Sequence, residues 1–65
     1  MSNLTAREQS VLKGIAYGKT NAEIAGILGI TEKTVKNVAH TMFIKMDVSN
    51  RVLAALAYHG IAAQD

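Results

Sequence analysis

The chain contains neither cysteine nor proline, and its aromatic residues are two tyrosines and one phenylalanine. Without cysteine, neither a disulfide nor a cysteine-ligated zinc can support a small core, so stability must come from helix packing or from pairing with a second chain. No apolar run approaches the roughly 20 residues of a membrane span, and Met1-Ser2-Asn3 leads into structured sequence without a signal-peptide pattern. A cytoplasmic protein with no membrane partner is therefore expected. A length of 65 residues allows one domain over 1–65, with no sensor or receiver domain in this chain, and leaves no room for a cleft between domains.

Catalytic constellations are lacking too. His40 and His59 fall on different predicted helices, and neither has a carboxylate or nucleophile at a spacing that builds a triad or a metal site. Gly18-Lys19-Thr20 resembles the end of a phosphate-binding loop, but the upstream glycine and strand are missing. No enzyme activity, metal or cofactor is expected.

The apolar residues recur at three and four rather than at two, which predicts an all-α chain. Thr5-Ala6-Arg7-Glu8 is a capping box that starts helix one, whose inner face is Val11, Leu12, Ile15 and Ala16 and whose end is Tyr17-Gly18. Thr20-Asn21-Ala22-Glu23 repeats the signal for a helix of about eight residues with Ile24, Ala25 and Leu28 inside, stopped by Gly29. Ile30 follows as an apolar plug and Thr31 as the next cap. Two short helices joined by a glycine-containing turn are what a helix-turn-helix requires.

Helix three, about Glu32 to Met46, carries Val35, Val38, Ala39, Met42, Phe43 and Met46 on one side. Lys33, Lys36, Asn37, His40, Thr41 and Ile44 lie on the other. The formal net charge is only +2, but all of it sits on this helix, where Lys33, Lys36 and Lys45 face the single acid Glu32. The major groove of duplex DNA admits one α-helix and is read by short polar donors. On that outer face Lys36 can donate to guanine, Asn37 can pair with adenine, and His40 and Thr41 can reach bases or phosphates. Lys33 and Lys45, toward the two ends, suit phosphate contact. A polar face with three lysines is equally what an ordinary solvated helix shows; the turn in front of it and the charge segregation favour the DNA reading.

Leu4-Thr5-Ala6-Arg7-Glu8, Gly18-Lys19-Thr20-Asn21-Ala22-Glu23-Ile24-Ala25, Ile30-Thr31-Glu32-Lys33-Thr34-Val35-Lys36-Asn37 and Val48-Ser49-Asn50-Arg51, at this spacing, resemble the LuxR/FixJ/NarL/GerE family of bacterial transcription factors over residues 4–58. The resemblance implies a four-helix domain that binds an inverted-repeat site in double-stranded DNA as a homodimer near a promoter, with RNA polymerase a possible partner. It also implies base contact at Lys36, Asn37 and His40, and phosphate contact at Thr20, Asn21, Lys45 and Arg51. Thr20 and Asn21 read equally well as plain helix capping. Three positions depart from the family pattern: Val38 replaces a usual histidine, Ile44 a common basic residue, and Asp47 a frequent glycine. These departures predict fewer backbone contacts. For Arg7 the expectation is an ion pair with Glu23 or Glu8.

Ser49 or Asn50 caps helix four, about Arg51 to His59 before Gly60, and residues 61–65 extend it or fray. This helix is apolar almost all round. The family's corresponding helix is the usual dimer contact, which places Val52, Ala55, Leu56 and His59 in a symmetric interface; the plainer alternative is that Leu53 and Leu56 fill the core. A competing function is a small interaction protein that pairs through helix four with a full-length relative and modulates it.

Overall fold

The computed structural model describes residues 4–60, and the expectation for residues 61–65 lies outside them. Four helices follow in order: α1 (Ala6–Ala16), α2 (Asn21–Leu28), α3 (Glu32–Met46) and α4 (Arg51–Tyr58). Each begins where a side chain meets an orphan backbone N–H. The Thr5 and Thr20 hydroxyls accept from the N–H groups of Glu8 and Glu23, whose carboxylates accept in return from the threonine N–H groups, so both capping boxes form. Thr31 accepts from the Thr34 N–H, and Asn50, rather than Ser49, accepts from the Leu53 N–H.

Three helix ends share one device. Gly18, Gly29 and Asp47 have φ of 79°, 70° and 58°, and the next residue's N–H returns to a carbonyl five back: Lys19 to Gly14, Ile30 to Ala25, Val48 to Phe43. At Gly29 the left-handed turn swings the chain directly from α2 into α3. Asp47 makes the same turn with a Cβ present.

The core consists of Leu4, Val11, Leu12, Ile15, Ile24, Ala25, Val35, Ala39, Met42 and Ala54, with Leu28, Ile30, Val38, Phe43 and Met46 packed on its margin. Each large side chain fully buried here is worth about 1.5–3 kcal/mol. Helix α1 packs against α3 and α4, and α2 packs against α3. Gly14 lets the Ile24 side chain seat on α1: a Cβ there would lie 2.7 Å from Ile24 Cγ1.

Two expectations are corrected. Arg7 is exposed and forms no ion pair with Glu8 or Glu23; the acid of the first capping box is instead taken by Lys45, whose Nζ is 2.9 Å from Glu8 Oε1. The core position of α4 is Ala54, with Leu56 half-buried, while Leu53 turns outward at 37% exposure. An eight-residue helix in which only Arg51 is polar gave no apolar stripe from which to read this.

Candidate nucleic-acid interface

Burial of Val35, Ala39 and Met42 fixes the rotation of α3 about its axis, and with it the opposite face. Lys33, Lys36, Asn37, His40, Thr41 and Ile44 all emerge exposed. Ile44, at 67% exposure, is among the most exposed large apolar side chains described. The face is bordered by a shallow concavity in which Asn21 at the start of α2, and Asn50 and Arg51 at the start of α4, stand beside Lys36, Asn37 and His40. Asn21 also adjoins Lys33 and Glu32. The beginnings of two helices, α2 and α4, thus flank the first two turns of α3's polar face, where helix starts offer N–H groups and partial positive charge.

The other expected site residues fall as follows. Thr20 is an N-cap, its Oγ1 accepting at 3.1 Å from Glu23. Arg51 turns toward its own domain: Nη1 donates to Asn21 Oδ1 at 3.0 Å and Nη2 to the Lys19 carbonyl at 2.7 Å. Lys45 faces α1 through Glu8. The Thr5 N–H and the Lys45 ammonium lower the Glu8 carboxyl below its usual range, the Thr5 bond acting most; the Thr20 N–H does the same for Glu23.

On α4, Val52 is 64% exposed and Ala55 and Leu56 are half-buried. The His59 ring lies on its own domain, with Nε2 3.0 Å from the Ala16 carbonyl, which can only accept, so Nε2 carries the proton. That ring also meets Tyr17 and Tyr58 edge to face. The contacts of His59 with Ala16 and Tyr17, the Arg51 clamp and the Lys45–Glu8 pair escaped sequence reasoning because they join residues 30 or more positions apart. Among the described residues no group of three or more His, Asp or Glu is placed to hold a metal ion, and no helix is long and apolar enough to cross a membrane.

Helices of eight and fifteen residues joined by residues 29–31, the second showing a continuous polar and cationic face, define a helix-turn-helix domain. The chain belongs to the luxR family of bacterial regulatory proteins, whose GerE model matches residues 2–58. It is 51% identical over 53 residues to the transcriptional regulatory protein YhcZ of Bacillus subtilis, covering 82% of this chain and 25% of that protein. It is 49% identical over 57 residues to the transcriptional regulatory protein LiaR of the same organism, covering 88% and 27%. With the nitrate/nitrite response regulator NarL of Escherichia coli the identity is 46% over 59 residues, covering 91% and 27%. The chain therefore spans about a quarter of the length of these relatives. No solved structure matches it. The family is one of regulators and not an enzyme class.

Proposed function

We propose that the chain binds double-stranded DNA sequence-specifically and regulates transcription in the cytoplasm, with α3 in the major groove and an inverted-repeat site bound by a homodimer. The supporting observation is the exposed face of α3, where Lys36, Asn37 and His40 stand together beside the starts of α2 and α4. Lys36 and Asn37 have the donors and acceptors to read guanine and adenine edges, and His40 reads the next turn. Lys33 and Thr41 flank them toward the phosphates, with Thr20 and Asn21 approaching the backbone from the start of α2.

Lys45 and Arg51 already hold partners within the domain, so Lys33 at the phosphates and Lys36 in the groove supply most of the positive charge brought to the duplex. Two cations brought onto the duplex displace about two condensed counterions and correspond to a slope of log affinity against log salt of about −2 per chain. The dimer forms through α4, with Val52 and Leu53 outermost, Ala55 and Leu56 behind them and His59 at the edge; its alanines allow close approach. RNA polymerase is the partner that regulation near a promoter calls for.

Selection from a pool of randomised duplexes tests the reading. Enrichment of an inverted repeat with half-sites about one helical turn apart supports it. No enrichment, with formation of a mixed complex between this chain and a full-length relative, supports the competing interaction protein, which the exposed Val52 and Leu53 also suit.

A further inference from the structure

Arg51 is a basic residue at the edge of the proposed DNA surface, yet both of its contacting nitrogens point inward. Nη1 donates to Asn21 Oδ1 at 3.0 Å and Nη2 to the Lys19 carbonyl at 2.7 Å, across 30 and 32 positions of sequence. A guanidinium has donors and no acceptor. The atom of the Asn21 amide that meets it must therefore be the oxygen, and this settles the orientation of an amide that is otherwise free to flip. With Oδ1 held inward, Nδ2 is the end turned away from Arg51, and no described residue accepts from it. Asn21 lies in the concavities it shares with Lys33, Lys36 and Asn37, so a donor on its outward end joins the cationic residues of α3. The second prong, on Lys19, fixes the backbone immediately before the α2 cap Thr20.

We propose that Arg51 is a positioning residue for DNA recognition, holding the Asn21 amide and the Lys19-Thr20 backbone so that Asn21 Nδ2 donates to a phosphate oxygen of the duplex. The proposal rests on the DNA-binding reading and changes the role of Arg51 within it: its charge does not meet a phosphate. It assigns the contact to a neutral donor, whose loss costs affinity without changing the number of counterions released on binding. It also links the two surfaces, since Arg51 is the first residue of α4 and precedes Val52.

The test is a double-mutant cycle on the duplex recovered by selection, read by fluorescence anisotropy across a salt series, with melting curves confirming that each variant is folded. Asn21→Ala and Arg51→Met are each expected to weaken binding by about tenfold, and the double variant by about tenfold rather than a hundredfold, with the salt slope unchanged. Arg51→Lys is expected to bind like Arg51→Met, because one ammonium cannot replace a planar two-pronged clamp. Asn21→Asp keeps the bond to Arg51 and the fold but turns an anion outward, and is expected to weaken binding more than Asn21→Ala. Multiplicative losses, a slope reduced by about 0.9 in Arg51→Met, or recovery by Arg51→Lys would overturn the proposal and place Arg51 on a phosphate directly. Failure of the wild-type chain to prefer any duplex would instead overturn the DNA-binding reading beneath it.

Discussion

Lys45, in the last turn of α3, places its ammonium 2.9 Å from Oε1 of Glu8, the same oxygen that accepts the Thr5 N–H at 2.7 Å. One carboxylate thus closes the N-terminal cap of α1 and ties the far end of α3 to it, 37 positions away. Because Glu8 is nearly buried, its negative charge is hard to leave without Lys45. Lys45→Met is expected to lower the melting temperature while changing the salt slope of DNA binding little. In a Glu8→Gln background the same substitution is expected to cost less, and thermal melts of the four proteins measure that coupling.

Acid sensitivity follows from the same group. The folded-state pKa of Glu8 lies below its unfolded value, with the Thr5 N–H the largest cause and Lys45 next; Glu23 is lowered by the Thr20 N–H. A depressed carboxyl contributes stability that is fully present above the unfolded pKa and is lost as pH falls through the folded one. Urea midpoints are therefore expected to be flat near neutrality and to fall below about pH 4.5. The fall is expected to be shallower in Glu8→Gln, which has one such group fewer.

Two helical glycines are expected to respond to alanine with opposite sign. At Gly26 a Cβ meets nothing within 4 Å, so Gly26→Ala gains helix propensity and stabilises by up to about 1 kcal/mol. At Gly14 the Cβ would lie 2.7 Å from Ile24 Cγ1, and Ile24 is buried at 2% exposure with little freedom to move aside. Overpacking outweighs propensity there, and Gly14→Ala is expected to destabilise by about 1–2 kcal/mol net. Chemical denaturation of the two variants checks both signs.

Asp47 occupies the left-handed position that ends α3, with φ of 58°. Glycine adopts this conformation without a Cβ penalty, and an acid at a helix C-terminus opposes the dipole. Asp47→Gly is expected to stabilise the domain by about 0.5–1 kcal/mol, measurable as a raised melting temperature.

The helix boundaries were legible because their signals are local. Thr5 with Glu8, Thr20 with Glu23, and Gly18 and Gly29 each act within a turn of the residues they cap. The polar face of α3 was legible because fifteen residues give four turns over which an apolar stripe sets the phase. After Arg51 every residue of α4 is apolar, so nothing in the sequence distinguished Ala54 inside from Leu53 outside. For cations, a sequence shows charge but not direction. Lys45 and Arg51 read as phosphate contacts, and the fold turns both onto partners of their own domain; Glu8, close to Arg7 in sequence, belongs to Lys45 in space.

The most direct measurement of the central claim is fluorescence anisotropy of the chain against the selected inverted repeat and a scrambled duplex of equal length, each across a salt series, with Lys36→Glu alongside. Preference for the inverted repeat is expected, with log affinity falling with log salt at a slope of about −2 per chain, and with loss of the preference in Lys36→Glu while the fold stays intact. Equal, weak binding to both duplexes by the wild type and by Lys36→Glu would contradict that claim.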